Sequence, residues 1–341
     1  MIPAKRQAVG YRIAAPDLLR AFAIGLLLGY KTQQIAKAEG LVAGEQQKIR
    51  VAFQGEAGAF SEAAAVQLLG EAITTIPRPT FDATFRAISE GAADALLVPV
   101  ENSLAGSVVR VYDLLLESRL TIAGETILPI ELNLIVCPGA SLEEIRSVSS
   151  HPMALAQCER FFAKHPQLKR VPAEDTAGSV REIIGRGDKT CAAIAGRLAA
   201  VHYGGLILQV GIQDNAENFT RFVLLFLPNA ATRKVAFKTV LANAESQVMK
   251  MSIAMRLAHR PGSLLSSLEP FARHGVNLLK IESRPIHGRP WEYQFFVDLE
   301  ADDLSRLQQA LSEVRKAAHE VRELGVYPAA KASGAGSAAC K

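Results

Sequence analysis

The chain is poor in the residues that build metal and disulfide frameworks. Its four cysteines, Cys137, Cys158, Cys191 and Cys340, stand far apart, with no Cys-x-x-Cys pair. That spacing excludes a zinc ribbon and a disulfide scaffold, and it suits a reducing compartment. The histidines form no i, i+4 pair and no metal spacing, so no metal is expected. Long apolar runs are scarce. The uncharged run Ala21–Tyr30 has ten residues, against the roughly 20 that span a membrane. Excess charge is missing from the body. The formal charge is +4, and residues 1–44 alone carry six Lys or Arg against two Asp or Glu. The remainder nets to zero, which leaves no cation excess to neutralise nucleic-acid phosphates. The glycine turn after the first predicted strand is neither Gly-x-Gly-x-x-Gly nor a P-loop, so a dinucleotide or nucleotide site is not expected. No Gly-x-Ser-x-Gly elbow occurs, and a serine hydrolase falls away.

The apolar content of 49% and the length of 341 residues describe a globular chain of two or three domains. Residues 1–47 form an extension with basic residues before Ala21–Tyr30 and a loose Ala36-Lys37-Ala38 cleavage-like site. A signal peptide, a transit peptide, a start placed too far upstream and a plain disordered extension all fit it. From Lys48 strand and helix signals alternate. Strands are predicted at Ile49–Phe53, Ala95–Val98, Leu120–Ala123, Ile130–Cys137 and Cys191–Ala195. Helices are predicted from about Ser61, around Tyr112–Leu116, after His151 and from Thr176. Such alternation implies a mainly parallel sheet with helices on both faces. After Arg233 the pattern becomes βαββαβ, a ferredoxin-like split unit, with strands at Met251–Leu257, Asn277–Ser283, Tyr293–Leu299 and Val321–Val326. Residues 229–249 read as a linker, 250–328 as the second domain, and 329–341, rich in Ala, Gly and Ser, as a disordered tail.

Ligands in α/β sheets bind outside the carboxyl ends of the strands. Four strand-to-helix junctions there carry small polar residues: Gly55 to Ser61, Glu101-Asn102-Ser103, Ser149-Ser150-His151-Pro152, and Asp175-Thr176. Taken singly, each is an ordinary N-cap worth about 1 kcal/mol. Together they suit a small anion held by several helix N-termini. The fifth feature is Asn218-Phe219-Thr220-Arg221-Phe222, at the start of an apolar run that reads as a buried strand. Alternation puts Thr220 and Phe222 on one face and Arg221 on the other. A bend at the strand start would let both polar groups reach one cleft.

In order and spacing, these segments resemble prephenate dehydratase, which converts prephenate to phenylpyruvate. The motifs are Gly55-Glu-Ala-Gly58-Ala-Phe60-Ser61, Pro99-Val-Glu101-Asn102-Ser103, Tyr112-Asp113-Leu-Leu115, His151-Pro152 to Gln157-Cys158, Asp175-Thr176-Ala177 and Asn218 to Phe222. Arg260-Pro261-Gly262-Ser263-Leu264 and Ile281-Glu282-Ser283-Arg284-Pro285 resemble the family's regulatory ACT domain. The stretch around Ser107–Tyr112 also resembles arogenate dehydratases, which keeps the amino-acid substrate arogenate open.

The resemblance implies a two-lobed, periplasmic-binding-protein-like catalytic domain over residues 48–228, followed by the ACT domain. No cofactor is required, because aromatisation drives the loss of CO2 and hydroxide. Thr220 is the implied catalytic residue, with Glu101 as a candidate proton source. Asn102, Ser103, Ser150, His151, Thr176, Asn218, Arg221 and Phe222 are the implied substrate contacts, Arg221 as a bidentate anion anchor. Gly262, Ser263, Leu264, Asn277, Leu278, Glu282, Ser283 and Arg284 are the implied contacts for phenylalanine as effector. A homodimer or homotetramer in the cytoplasm is implied, without nucleic-acid or membrane partners. Export or organelle targeting is the alternative if residues 1–38 are a targeting peptide. The 47 leading residues are too few for the mutase domain that many relatives carry, so no mutase activity is expected. A non-catalytic amino-acid sensor is the alternative of a different class.

Overall fold

A computed structural model describes residues 48–243, 248–286, 288–289 and 291–330. The expected extension over residues 1–47 lies outside the described residues, as does the expected tail from residue 331 onward. The chain enters a first lobe with β1 (Ile49–Gln54), α1 (Phe60–Leu69), β2 (Ile73–Arg78) and α2 (Phe81–Ser89). It continues with β3 (Ala95–Asn102), β4 (Gly106–Ser107), α3 (Val109–Glu117) and β5 (Thr121–Pro129). Residues of β1 and β3 such as Val51, Phe53, Leu96 and Leu97 are completely buried. Helices cover both faces of this sheet, so its strands read as apolar runs rather than alternating ones.

The second lobe follows as β6 (Asn133–Val136), β7 (Ser147–Ser150), α4 (Pro152–Ala156), α5 (Glu159–Lys164) and β8 (Lys169–Pro172). It ends with α6 (Thr176–Arg186), β9 (Cys191–Ala195), α7 (Arg197–Tyr203) and β10 (Leu206–Gln209). The chain then returns to the first lobe as β11 (Phe219–Phe226) and α8 (Ala231–Ala242). The strand orders are β2-β1-β3-β11-β5 and β10-β6-β9-β7-β8.

Both sheets are mixed, which corrects the mainly parallel expectation. β1 runs parallel to β2 and β3, whereas β11 is antiparallel to both β3 and β5. In the second sheet β7 is parallel to β8 and β9, whereas β6 is antiparallel to β9 and β10. The cause in the first sheet is the double crossing between lobes. β5 leads out, β11 leads back, and adjacent crossings in opposite senses must pair antiparallel. The two crossings are tied where Ile130 N–H donates to the Asn218 carbonyl at 2.7 Å.

The segment read as a linker contains α8, whose Ala236 and Val240 are buried in the core of the first lobe. A Cβ on Gly124 of β5 would stand 2.9 Å from Val240 Cγ1, so the strand is bare where the helix lies on it.

The C-terminal part is β12 (Met249–Arg256), α9 (Ser263–Arg273), β13 (Asn277–Pro285), β14 (Tyr293–Ala301), α10 (Leu304–Ala317) and β15 (Glu320–Pro328). The antiparallel order β13-β14-β12-β15 is the expected ferredoxin-like βαββαβ arrangement. One face of this sheet, with Met251, Ile253 and Met255, packs on Phe271, Leu307 and Leu311 of its own helices. The other face supplies Ala254, Phe296, Leu324 and Tyr327 to a core shared with Leu96, Val98, Tyr112 and Val223 of the first lobe. Approach is close there: a Cβ on Gly325 would lie 2.2 Å from the Ile122 carbonyl oxygen. The first two residues of the expected tail are held by the body: Ala329 N–H donates to the Val248 carbonyl and Ala330 N–H to Glu125. Among the described residues, no helix is long and apolar enough to cross a membrane.

Candidate active site

The strand ends of both lobes enclose a cavity of about 340 Å³. Its walls include Phe60 and Ser61 at the start of α1, Asn102 at the end of β3, and His151 and Gln157 flanking α4. Asp175 and Thr176 at the start of α6 and Thr220 and Phe222 of β11 complete them. Thus Asn102, His151, Thr176, Thr220 and Phe222, all expected in the site, come together from both lobes. The N-terminal ends of α1 and α6 open into the same space, each with the partial positive charge of unsatisfied N–H groups.

The hydroxyl of Thr220 is held in a defined role. Asn102 Oδ1 accepts from the backbone N–H groups of Leu104 and Ala105 at 3.0 and 2.8 Å. This fixes the amide, so its Nδ2 is the group that faces β11. Nδ2 lies 2.9 Å from Thr220 Oγ1, 2.8 Å from Asn218 Oδ1 and 3.1 Å from the Phe219 carbonyl. An amide nitrogen offers no lone pair, so Thr220 accepts here and cannot donate. Its own proton stays available to the cavity. Asn218 is buried behind this pair and passes the chain on, donating to Gln157 Oε1 at 3.0 Å.

Ser150 and Ser103 are not among the residues that line the cavity, and His151 lines it as a helix cap. Ser150 is fully buried and donates to the Ile194 carbonyl at 2.6 Å, tying β7 to β9. Ser103 donates to the Glu217 carbonyl and accepts from Phe219 N–H, both at 2.9 Å, which pins the β3 end to the β11 start. His151 Nδ1 accepts from Met153 N–H at 3.2 Å as the N-cap of α4. A neutral ring in this role carries its proton on Nε2.

Arg221 and Glu101 do not face the cavity. Arg221 turns to the opposite side of β11, where Nε donates to Glu125 at 2.6 Å and Nη2 to the Tyr327 hydroxyl at 3.0 Å. Its Nη1 is paired with Asp298. Lys250 completes the cluster, 2.7 Å from the second oxygen of Glu125. Two cations and two carboxylates thus balance one another in a buried site. Desolvation opposes the guanidinium charge, but Tyr327, Asp298 and Glu125 outweigh it and hold the Arg221 pKa well above its usual value. Glu101 accepts from Lys280 of β13 at 2.8 Å.

β13 carries part of the expected effector site. Glu282 accepts from Ser107 at 2.6 Å, and Arg284 grips both oxygens of Asp113 at 3.0 and 3.1 Å. Both side chains are therefore engaged with the first lobe, while Ser283 between them is exposed on the other face. Gly262, Ser263 and Leu264 sit at the start of α9, and Asn277 and Leu278 at the start of β13.

Residues not singled out as contacts also line the cavity: Gln157, Glu174 and Asp175. His151, Ala154 and Gln157 lie three apart, a helical spacing that was the available signal. Burial raises the Asp175 carboxyl above its usual value, against the lowering by its 2.6 Å bond from Gly178 N–H. Among the described residues, no lysine or arginine lines the cavity.

The chain matches the model of one family, prephenate dehydratase, over residues 51–229. It is 41% identical over 298 residues to arogenate dehydratase 3, chloroplastic, of Arabidopsis thaliana, covering 82% of this chain and 67% of that one. A solved prephenate dehydratase from Arthrobacter aurescens in complex with L-Phe is 32% identical with a TM-score of 0.71, covering 82% of this chain and 90% of that one. A structure described as GqqA, a novel type of quorum quenching acylase, is 33% identical with a TM-score of 0.72, covering 82% and 98%.

Proposed function

Because the chain belongs to the prephenate dehydratase family, we propose that it is a carbon–oxygen lyase that aromatises a cyclohexadienyl acid, with arogenate as its preferred substrate and prephenate as a second one. The carrying observation is the Thr220 hydroxyl, held by Asn102 as an acceptor so that its proton is free for the cavity. In the reaction the bond from the ring to its carboxylate breaks and CO2 leaves. That electron pair enters the ring, the ring C–O bond breaks, and the departing oxygen takes a proton to leave as water. Thr220 hydrogen-bonds the departing oxygen as charge builds on it, a form of acid help worth roughly 10²–10⁴-fold. The N-termini of α1 and α6 and the amide nitrogen of Gln157 orient the substrate.

The cavity lining favours arogenate over the prephenate first expected. Arogenate carries an ammonium where prephenate has a keto group. Glu174 and Asp175 line the cavity while, among the described residues, no Lys or Arg does, an arrangement that suits a cation beside the substrate carboxylate. With its pKa raised in the fold, Asp175 contributes stability that is fully present below its unfolded value and lost as pH rises through the folded value. A docked ammonium offsets that loss. The test is kcat/KM on both substrates. We expect arogenate to lead by at least about tenfold, and Asp175→Asn, which keeps the helix cap, to narrow the gap by roughly tenfold. A prephenate lead that Asp175→Asn leaves untouched overturns the substrate choice. An acylase reading, raised by one similar structure, needs a base at its nucleophile, whereas Thr220 Oγ1 faces an amide N–H2.

The βαββαβ unit serves in this reading as an ACT domain that binds phenylalanine. Ser263 Oγ supports it, being buried without a hydrogen-bond partner at the start of α9, below the open turn of Gly262. β13 is an edge strand with Leu278, Leu279 and Ile281 exposed, which suits pairing with a second copy. Removing the whole unit is not a clean test, since Tyr327 and Phe296 belong to the first lobe's core. Calorimetry is expected to show phenylalanine binding to a dimer or larger assembly. Ser263→Ala should weaken it by roughly tenfold, the worth of one buried hydrogen bond. Equal affinity in the variant removes Ser263 from the effector site.

A further inference from the structure

Thr220 and Asn102 are register partners across β11 and β3, and the next partners are Arg221 and Glu101. Alternation sends the first pair to the cavity and the second to the face covered by the C-terminal sheet. There both members of the second pair are held by that sheet. Arg221 is paired with Asp298 of β14, and Glu101 with Lys280 of β13. Lys280 donates also to Ser107 Oγ on β4 at 2.9 Å, so one ammonium holds both arms of the β3–β4 hairpin that carries Asn102. Alternate residues of β13 extend the clasp, with Glu282 on Ser107 and Arg284 on Asp113 of α3.

Resting on the dehydratase reading, we infer that Glu101 and Arg221 are positioning residues through which the C-terminal sheet sets the placement of the Asn102–Thr220 pair. Consecutive Cα atoms are about 3.8 Å apart, so the lever between clasp and hydroxyl is one residue long. A shift of β13 or β14 along the interface is passed to the cavity by the backbone itself. It needs no chain of repacked side chains. The arrangement gives Glu101 a role quite different from proton supply.

Lys280 and Glu101 are the accessible half of the clasp, with 14% and 37% of their side chains exposed, so variants there should fold. The experiment measures kcat and KM of Lys280→Met, Lys280→Arg, Glu101→Gln and the Lys280→Met/Glu101→Gln pair. It also follows backbone amide exchange over residues 100–107 and 218–222. Lys280→Met and Glu101→Gln should each lower kcat by roughly tenfold with KM within about twofold, the lesser end of what misplacement costs. The double variant should be no worse than Lys280→Met, because that change already breaks the link that Glu101→Gln breaks. Lys280→Arg should recover most of the rate. Amide exchange in both segments should speed up in Lys280→Met. Unchanged kcat and unchanged exchange, with only a lower melting temperature, would make the bridge a mere fastening and overturn the inference. If the parent enzyme converts neither arogenate nor prephenate, the dehydratase reading falls, and the exchange result alone decides whether the sheet positions the pair.

Discussion

Replacing Thr220 by alanine should lower kcat by at least about 10² while KM stays within about twofold. The asymmetry follows from the geometry. Thr220 Oγ1 already accepts from Asn102, and in the proposed mechanism its remaining proton meets the substrate only as the leaving oxygen gains charge. Its loss therefore withdraws help from the transition state and little from binding. The methyl group makes no comparable contribution, so Thr220→Ser should keep most of the activity. In the alanine variant Asn102 still donates to Asn218 and to the Phe219 carbonyl, and the cavity wall should hold its shape. Steady-state kinetics on arogenate and prephenate, with a melting curve as control, settle the matter. An alanine variant with near-normal kcat would remove Thr220 from the chemistry.

The second large effect is on stability. Arg221→Met should destabilise the fold by about 3–5 kcal/mol, because it takes the Arg221 cation from buried Asp298 and leaves buried Glu125 to Lys250 alone. Melting should fall by on the order of ten degrees. Arg221→Lys keeps the charge but not the planar fork that reaches Glu125, Asp298 and Tyr327 together, so it should fall between the two. Enzyme that remains folded should show a KM close to that of the parent. If KM instead rises severalfold while the melting temperature holds, the guanidinium is a substrate anchor after all, and the side of the strand assigned to it is wrong.

Those two neighbours also show what was legible in the sequence. Strand alternation alone separates Thr220 from Arg221, and the structure keeps that separation. The idea of a bend bringing both to one cleft fails because β11 is paired on both sides, to β3 and to β5, from its first residues. A strand held by two ladders cannot turn one side chain around. The βαββαβ unit was readable almost to its ends, since its strands and helices carry clean periods of two and 3.6. α8 was missed because Pro228, Asn229 and several alanines look like a connector, although alanine is the best helix former. The mixed strand directions were hidden, because a buried apolar run looks the same in either sense. The contacts of Glu282 and Arg284 with the first lobe were hidden too, because nothing local says that their face of β13 rests on another domain.

The place of β11 has a consequence for how this molecule comes into being. It is an interior strand of the first sheet, yet it is made after the whole second lobe. On the ribosome, β1, β2, β3 and β5 emerge early with a gap where their shared neighbour belongs. The second lobe, by contrast, is one uninterrupted stretch and can close as soon as β10 is out. Synthesis runs at roughly 5–20 residues per second, so the N-terminal sheet waits several seconds with two unpaired edges. Its order of completion is thus the reverse of its order of translation. The residue that arrives with the missing strand is Thr220, so the nascent chain gains its central sheet and the hydroxyl proposed for its chemistry in the same step.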